Sequence, residues 1–432
     1  MSLFGAMNTA ISGLTAQSNA FANISDNVAN SQTVGYKRVD TSFIDYLTTS
    51  TAQTNDPGAV VTKPDYVNDV QGTVTQTDNA MNLAITGQGF FAVSQETGDA
   101  NNIATFNPQQ FYSRAGDFTM NKDGYLVNSA GDYLNGWPVN SATGVANQNA
   151  LAPIQVTQTV YNPVATSSVS LSANLPASGT AASPLPSTID VYDSLGSMHV
   201  VTLNWVQSSV NNWQVSVSSP DDISAASRGT ADVQFGANAV PEGTIGQIGT
   251  TTGTVTTSGY TAGQAATLSF TTNFGTGPQT ISLNLGTYGQ TNGVTQYAGT
   301  QYQLQGLTQN GVPPGAYSST DIQSNGDVVV NYNNGQTRTI AQVPLVTFNA
   351  PDQLQRQNGQ SFTATEQSGA PLAEQASTNG AGTLVTSSVE SSNVDIATEF
   401  SQLIVAQQAY AANSKIVTTA NQMLQQTIDM KQ

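Results

Sequence analysis

Both ends of the 432-residue chain carry apolar residues at seven-residue spacing, and this pattern constrains the fold more than any other feature. The N-terminal lanes are Leu3, Ala10, Gln17 and Ile24, and Met7, Leu14, Phe21 and Val28. The C-terminal lanes are Ile396, Leu403, Tyr410, Val417 and Leu424, and a weaker Phe400, Gln407, Ser414, Asn421 and Ile428. The spacing predicts two long terminal α-helices that pair as a coiled coil.

The C-terminal helix has a recognisable start and very little charge. Asn393 is the predicted N-cap, and Asp395 and Glu399 follow near the positive end of the helix. Between Phe400 and Ile428 the only charged side chain is that of Lys415. A solvated coiled coil carries a charged outer face, so these helices are expected to be surrounded by other protein. Ordinary amphipathic helices on a globular core remain the alternative.

Composition excludes several classes of protein. Charged residues are 9% of the chain, against about 25% in an average soluble protein, and the net charge is −17. The ten basic residues are scattered, which argues against nucleic-acid binding. No cysteine is present, so disulfides, thiolate metal sites and cysteine nucleophiles are excluded.

The first residues do not resemble a targeting segment. The first charged residue is Asp26, and polar side chains such as Asn8 and Ser12 interrupt each apolar run. A signal peptide needs a basic start and an unbroken apolar core. We therefore expect neither a cleaved signal peptide nor a membrane span.

From about residue 73 to residue 348 the pattern is that of β-strands. Asp123-Gly124 lies between two alternating apolar runs, which indicates a hairpin. Asn325-Gly326 and Asn334-Gly335 do the same and predict a β-meander. Alternation also persists from Gly243 to Leu285, which favours strands despite the many Thr and Gly residues.

The predicted fold class is therefore a multidomain, mainly β protein with sandwich- or barrel-like middle domains and paired terminal helices. Trp205 and Trp213 suit the core of such a sandwich. Proline-rich edges near Pro184 and Pro313-Pro314 indicate a separate middle region. The predicted domains are residues 1–30 with 393–432 (inner helical), 31–72 (linker or extended connection), 73–150 with 318–385 (middle β), and 151–317 (outer β, inserted).

No motif predicts catalysis, a cofactor or a metal ion. His199, the only histidine, lies in an alternating strand and is expected to be structural. Asp221-Asp222 could form a carboxylate pair, but their position after Pro220 favours a solvated turn. Gly87-Gln88-Gly89 lacks the third glycine and the helix of a phosphate-binding loop.

Several longer motifs resemble those of the flagellar rod and hook axial proteins. They are Asn23–Asn30 followed by Thr33–Lys37, Ile85–Phe91, Ser113–Phe118 with Asp123–Val127, and Glu390–Asp395. The matching positions carried over from the family are Asn27, Ala29, Asn30, Gly35, Tyr36, Lys37, Gly87, Gly89, Phe90, Asn393, Val394 and Asp395. Blocks Tyr192–Gly196 and Leu307–Gly311 resemble hook subunits more than the shorter rod proteins.

This resemblance implies a non-enzymatic subunit that polymerises with itself into a flexible tube transmitting torque from rod to filament. Its implied partners are a rod protein, a hook–filament junction protein, a hook cap and the flagellar export apparatus. The implied location is extracellular, in the flagellum. The heptad residues would form the polymerisation seam, and the helices are expected to order only on assembly. A distal rod or other axial protein remains the near alternative, and a secreted carbohydrate-binding β protein the distant one.

Overall fold

The computed structural model describes residues 3–50, 55–100, 103–140, 143–177, 183–299 and 301–430. Residues 1–2 and 431–432 of the predicted inner domain lie outside this set. The chain divides into two compact units. Unit 1 comprises residues 1–158, 318–331 and 337–432, and unit 2 comprises 159–317 with 332–336. Among the described residues no helix is both long and apolar enough to cross a membrane.

Unit 1 begins with a helix and a long hairpin, followed by short strands. Its first elements are α1 (Leu3–Ala29), β1 (Val39–Ser50), β2 (Asn55–Tyr66), β3 (Val74–Gln76), β4 (Leu83–Thr86), β5 (Phe90–Ala100), β6 (Ile103–Phe106), β7 (Phe111–Ser113), β8 (Thr119–Met120), β9 (Leu126–Val127), β10 (Asp132–Pro138) and β11 (Ala152–Pro153).

Unit 2 consists of β12 (Ser168–Pro176), β13 (Leu185–Tyr192), β14 (Met198–Ser209), β15 (Asn212–Ser218), β16 (Ser227–Phe235), β17 (Ile245–Gly249), β18 (Thr256–Thr257), β19 (Ala265–Asn273), β20 (Pro278–Thr287), β21 (Val294–Tyr297) and β22 (Gln303–Gln309). The chain then completes unit 1 with β23 (Tyr317–Ile322), β24 (Asp327–Tyr332), β25 (Thr337–Gln342), β26 (Leu345–Thr347), β27 (Gln355–Arg356), β28 (Ser361–Thr363), β29 (Leu372–Glu374), β30 (Thr383–Thr386), β31 (Ser388–Glu390) and α2 (Ile396–Asp429).

Unit 2 is a two-sheet sandwich. One sheet runs β13-β14-β15-β16-β17 in chain order, and the other runs β18-β19-β20-β12-β21 with β22 also paired to β12. Alternate residues of both sheets enter a single apolar core, in which Trp205 and Trp213 are buried. The region from 243 to 285 is built of strands, as its alternation indicates.

The body of unit 1 is a 14-stranded sheet whose main path is β23-β24-β25-β10-β5-β7-β28-β27. The Asp123-Gly124 hairpin is confirmed, because Met120 pairs with Leu126. The meander through β23, β24 and β25 is also confirmed. Two small ladders, β3–β31 and β4–β30, bring the segment before α2 against the N-terminal half of the unit.

Residues 31–72 are not the extended connection that the sequence suggests. Strands β1 and β2 pair over their length as an antiparallel hairpin that packs along α1. Polar side chains of α1 hold it there: Asn19 Nδ2 donates to Thr62 Oγ1 at 2.8 Å, and Asn23 Nδ2 to Thr41 Oγ1 at 2.8 Å. Large apolar residues on both faces of β1 are exposed, among them the neighbours Phe43 and Ile44, so the hairpin lacks the alternation of a half-buried sheet.

The predicted insert also begins too early. Residues 151–158 stay with unit 1, because β11 pairs with β10. Val156 N donates to Gly124 O at 2.7 Å, and the Val156 side chain is buried. The turn at residues 332–336 belongs to unit 2, although the strands on either side of it lie mostly in unit 1.

Asp132, the first residue of β10, is a buried carboxyl group in unit 1. Its Oδ1 accepts from Gln95 Nε2 at 3.1 Å, whereas Oδ2 has no partner among the described residues. Burial raises the pKa of Asp132 to about 6, although hydrogen bonds from Gln95 and Asn128 act to lower it. An unfolded Asp has a pKa of about 3.9. Unit 1 should therefore gain stability as the pH falls from about 6 to about 4 through this group.

Asp132→Asn should remove this contribution. At pH 7.5 the variant should be more stable than wild type, by up to about 2 kcal/mol, because a neutral amide costs less to bury than a carboxylate. The difference should shrink by pH 5. Thermal unfolding followed by circular dichroism at both pH values measures it, with the exposed Asp123→Asn as control. Parallel curves for wild type and Asp132→Asn would contradict the assignment.

Candidate functional site: the helix pair and the buried charges at its base

The two terminal helices pack antiparallel within one chain. Gly13 of α1 lies so close to α2 that an added Cβ would be 2.8 Å from Asn413 Nδ2. Further along, the rings of Phe21 and Tyr410 meet edge to face at 6.2 Å. Asn27 Nδ2 donates to Glu399 Oε1 at 3.2 Å at the far end.

The heptad pattern predicts correctly one of the two lanes that α2 packs against α1, and places the second lane one residue too far along the helix. Leu403, Val417 and Leu424 are half-buried and Tyr410 contacts Phe21, in keeping with the first lane. The second lane against α1 is Glu399, Ala406, Asn413 and Ala420, of which all but Asn413 are buried. The predicted lane lies one residue further on, and its members Phe400, Gln407, Ser414, Asn421 and Ile428 are exposed, as is Ile396.

Small side chains explain this difference. Alanines at 406 and 420 and the glycine at 13 let the two backbones approach closely, whereas Phe400 in that position would hold them apart. A pattern scored on large apolar residues therefore selects the neighbouring lane. In α1, Ala10 and Ile24 are buried, and Leu3, Met7, Leu14, Gln17, Phe21 and Val28 are half-buried.

At the base of the helix pair lies a fully buried cluster of three charged side chains. Glu390 Oε1 accepts from Lys37 Nζ at 2.6 Å, and Glu390 Oε2 accepts from Arg114 Nη1 at 2.9 Å. None of the three side chains is more than 2% exposed. The cluster joins the segment after α1, the segment before α2 and the β body, since Arg114 directly follows β7.

Backbone groups complete the cluster. Lys37 Nζ also donates to Val70 O at 2.7 Å, and Arg114 Nη2 donates to Gly87 O at 2.7 Å. Gly72 N donates to Glu390 Oε1 at 2.8 Å. Burial lowers the pKa of Lys37, while the Glu390 carboxylate acts to raise it. The arrangement neutralises a buried acid and leaves no reactive group facing solvent.

A second network surrounds the end of α1. Asn27 Oδ1 accepts from Val39 N at 2.9 Å and from the Tyr36 hydroxyl at 3.2 Å. The Tyr36 hydroxyl also donates to Asp26 Oδ2 at 3.0 Å, and the Arg356 guanidinium lies 4.3 Å over the Tyr36 ring. Burial raises the pKa of Tyr36 to about 12, although the charge of Arg356 acts to lower it. These bonds fix the direction in which the chain leaves the helix.

The helix cap differs from the prediction. Asp395, not Asn393, caps α2: its side chain accepts from Ala397 N at 2.8 Å and from Thr398 N. Asn393 instead ties segments together, accepting from Arg38 N at 2.8 Å and donating to Val67 O and Val70 O at 3.1 Å. Both residues suit an N-cap by type, so residue preference alone could not separate them.

The remaining motif residues shape the turns around the cluster. Gly35 has φ +69° and a Cβ there would lie 2.3 Å from Ala115 N, so only glycine fits. Gly35 N donates to Glu390 O at 2.8 Å. Gly87 and Gly89 also have positive φ, and Phe90 is buried against Phe348 and Phe362.

Three motif residues have lesser roles. Asn30 Nδ2 donates to Asp26 O at 2.9 Å and so closes the end of α1, where Ala29 is exposed. Val394 is half-buried beside the cap. The sequence motifs did not single out Arg114 and Glu390 as a pair. The available signal was one residue of each charge at the end of a short strand in this sparsely charged chain.

The candidate catalytic residues of unit 2 are structural. His199 stacks on Phe274 at 3.9 Å, with Asp193 and Asp221 beside its ring nitrogens. Asp222 is buried, in contrast to the solvated turn predicted for it. Although burial acts to raise its pKa, hydrogen bonds from Thr272, Asn273, Ser224 and Ala225 lower the pKa of Asp222 to about 2. Loop residues following Asp222 fold back to bond it, which residue type alone did not reveal.

Comparison with known proteins matches this architecture along the chain. Family models match at residues 7–37 (flagella basal body rod protein), 84–174 (flagellar hook protein FlgE/F/G D1 domain), 164–312 (flagellar basal body protein FlaE D2 domain) and 385–430 (flagellar basal body rod FlgEFG protein C-terminal). The flagellar hook protein FlgE of Brucella abortus is 30% identical over 436 residues, covering all of both chains. The chain belongs to the flagellar hook protein family.

Other relatives agree. The flagellar hook protein FlgE of Escherichia coli is 29% identical over 99% of this chain and 100% of its own. A crystal structure of Helicobacter pylori flagellar hook protein FlgE2 aligns with a TM-score of 0.48 at 13% identity, covering 72% of this chain and 98% of that one. The full-length matches to the hook proteins of Brucella abortus and Escherichia coli show that the chain is a structural subunit of the flagellar hook and not an enzyme. It self-polymerises as an axial component of the flagellum.

The buried cluster gives a direct test of what holds the base of the hook subunit together. Glu390→Gln leaves Lys37 and Arg114 buried without an anion, which should cost about 3–5 kcal/mol of unfolding free energy. Urea unfolding of the full chain measures the loss. Glu366→Gln, on an exposed residue of the same unit, is the matched control. A loss below about 1 kcal/mol for Glu390→Gln would mean that the cluster adds little to stability.

Proposed function

We propose that the exposed side of the helix pair is the surface through which hook subunits polymerise. The observation that carries this is the row of large apolar side chains that α2 leaves uncovered. Phe400 is 52% exposed and Ile428 is 61% exposed, and Ile404 and Val405 between them are also exposed. Several large exposed apolar side chains on one 34-residue helix favour an interaction site, whereas a single exposed apolar residue would not.

The polymer is a helical tube. A head-to-tail contact that does not close on itself generates an open helix of subunits. The heptad residues on both helices form its polymerisation seam, and the low charge of both helices limits repulsion between packed copies. The helices form the inner layer, residues 73–158 with 318–385 the middle layer, and residues 159–317 the outer layer.

The tube serves as a flexible joint that transmits torque from rod to filament. This role requires inner contacts between subunits that stay fixed and outer contacts between subunits that slide. Few ion pairs must break when weakly charged surfaces slide, and unit 2 has few charged residues for its size. The resemblance further assigns a rod protein as partner at the proximal end, and a hook–filament junction protein and hook cap at the distal end.

Export to the outside of the cell completes the proposal. As the resemblance implies, the flagellar export apparatus passes the chain to the outside. The expectation that both helices order only on assembly stays a prediction. Their own seam is short of apolar area, since its buried members include alanines.

Replacing exposed seam residues should block assembly without unfolding the chain. Phe400→Ser and Ile428→Ser each remove an apolar side chain whose burial is worth roughly 1.5–3 kcal/mol, so sedimentable polymer should fall about tenfold or more. Val210→Ser in unit 2, at an 85% exposed apolar position, is the matched control and should assemble normally. Circular dichroism checks the fold. Unchanged assembly of both seam variants would place polymerisation on another surface.

Deletion of residues 159–317, which leaves β11 and Val156 in unit 1, should leave a tube with altered curvature, because the inner contacts remain while the outer ones are lost. Negative-stain electron microscopy of the assembled product measures this. Deletion of residues 395–432 is the contrasting variant and should give soluble, folded monomers. If the first deletion abolished polymerisation, the division of roles between inner and outer contacts would be wrong.

A further inference from the structure

A groove of about 430 Å³ lies between α1, β1 and α2. Its walls are mainly apolar and include Ala20 and Ile24 of α1, Phe43 of β1, and Val405 and Ala406 of α2. Phe43 is 48% exposed and Val405 65% exposed, so the groove opens to solvent. Its walls come from α1, β1 and α2, three of the four elements at the helical end of unit 1.

Acidic groups at one end of this groove lack a sufficient counter-charge. Asp40 lines the groove; its Oδ2 lies 3.3 Å from Arg38 Nη2, and its Oδ1 is buried without a partner among the described residues. Glu399, three residues before groove-lining Gln402, is 1% exposed, and its Oε2 is likewise unpartnered. Two carboxylates thus share one cation. Burial raises the pKa of Glu399, and the charge of Asp40 acts in the same direction.

The cation that could fill this position is carried on α2 itself. Lys415 is the only Lys, Arg or His within Leu3–Ala29 and Ile396–Asp429. It is exposed and forms no ion pair with any described residue. Beside it, Ile416 is 47% exposed. Lys415 follows Glu399 by 16 residues, or about 24 Å along a helix, so it cannot reach the Glu399 of its own chain.

We propose that the groove of one subunit takes the Lys415 face of α2 from a second copy of the chain. The Lys415 ammonium lies at the partly exposed carboxylate of Asp40, beside the buried Glu399, and Ile416 packs on the apolar walls. A neighbour bound in parallel orientation is shifted by about 24 Å along α2, the distance between the two charges on one helix. This pairing rests on the proposed polymerisation and names which surfaces meet.

Cross-linking between copies tests the pairing in assembled tubes. The chain has no cysteine, so Asp40→Cys with Lys415→Cys adds the only two thiols. A short bis-maleimide is the reagent, because a lysine–carboxylate pair holds its Cα atoms farther apart than the roughly 4.4–6.8 Å of a disulfide. We expect a ladder of covalent dimers and higher oligomers. Asp40→Cys with Lys122→Cys, an exposed lysine in the β8–β9 turn, is the control.

Tubes whose ladder is no stronger than that of the control would overturn the pairing. Charge exchange provides a second measurement. Lys415→Asp and Asp40→Lys should each lower sedimentable polymer about tenfold, and the double exchange should restore it to within about threefold of wild type. The pairing would also be overturned if the double variant lost as much sedimentable polymer as the two single variants combined. If the wild-type protein forms tubes and either test is negative, this pairing alone is rejected. If the wild-type protein forms no tubes, the proposed function is rejected.

Discussion

The subunit depends on one buried carboxylate. Glu390 receives Lys37 from the segment after α1 and Arg114 from the β body, and it is itself the last residue of β31, six residues before α2. Burying three charges is not an efficient way to gain net stability, since the cost of desolvation offsets most of the attraction. What such a cluster supplies is a single arrangement: any shift of one segment leaves a charge unpaired in a dry interior. The two ends of the chain therefore meet the body in one register.

From that base the helices are held by small and polar groups instead of a large apolar seam. Glycine and alanine bring α1 close to α2, and asparagine side chains tie α1 to the β1–β2 hairpin. Polar residues of α1 that would be expected to face other subunits thus partly serve their own chain. The larger apolar side chains of α2 are left exposed, and the proposed polymerisation would cover them.

Much of this architecture is readable in the sequence, for physical reasons. Alternation and Asp-Gly or Asn-Gly turns locate the hairpins of both units because the side-chain period of a strand is strict. Seven-residue spacing locates both helices because residues seven apart lie on the same face of an α-helix. The sequence did not predict the second lane of α2, because its close contact with α1 uses Ala406 and Ala420, and alanine is only weakly apolar. The sequence did not predict the β1–β2 hairpin, because the α1 side chains that bond to it, such as Asn19 and Asn23, are polar.

Charged residues at the base could not be assigned from spacing at all. Lys37, Arg114 and Glu390 are separated by 77 and 276 positions, and only the folded ladders β3–β31 and β4–β30 bring them together. The family motifs contain all three, yet a motif records which residue types recur and not which atoms meet. Unit 2 builds its own core from its own two sheets, so its sequence can vary without disturbing the cluster. Because the charged cluster lies in unit 1 and the sandwich core lies in unit 2, substitutions in unit 2 leave the register of the two chain ends unchanged.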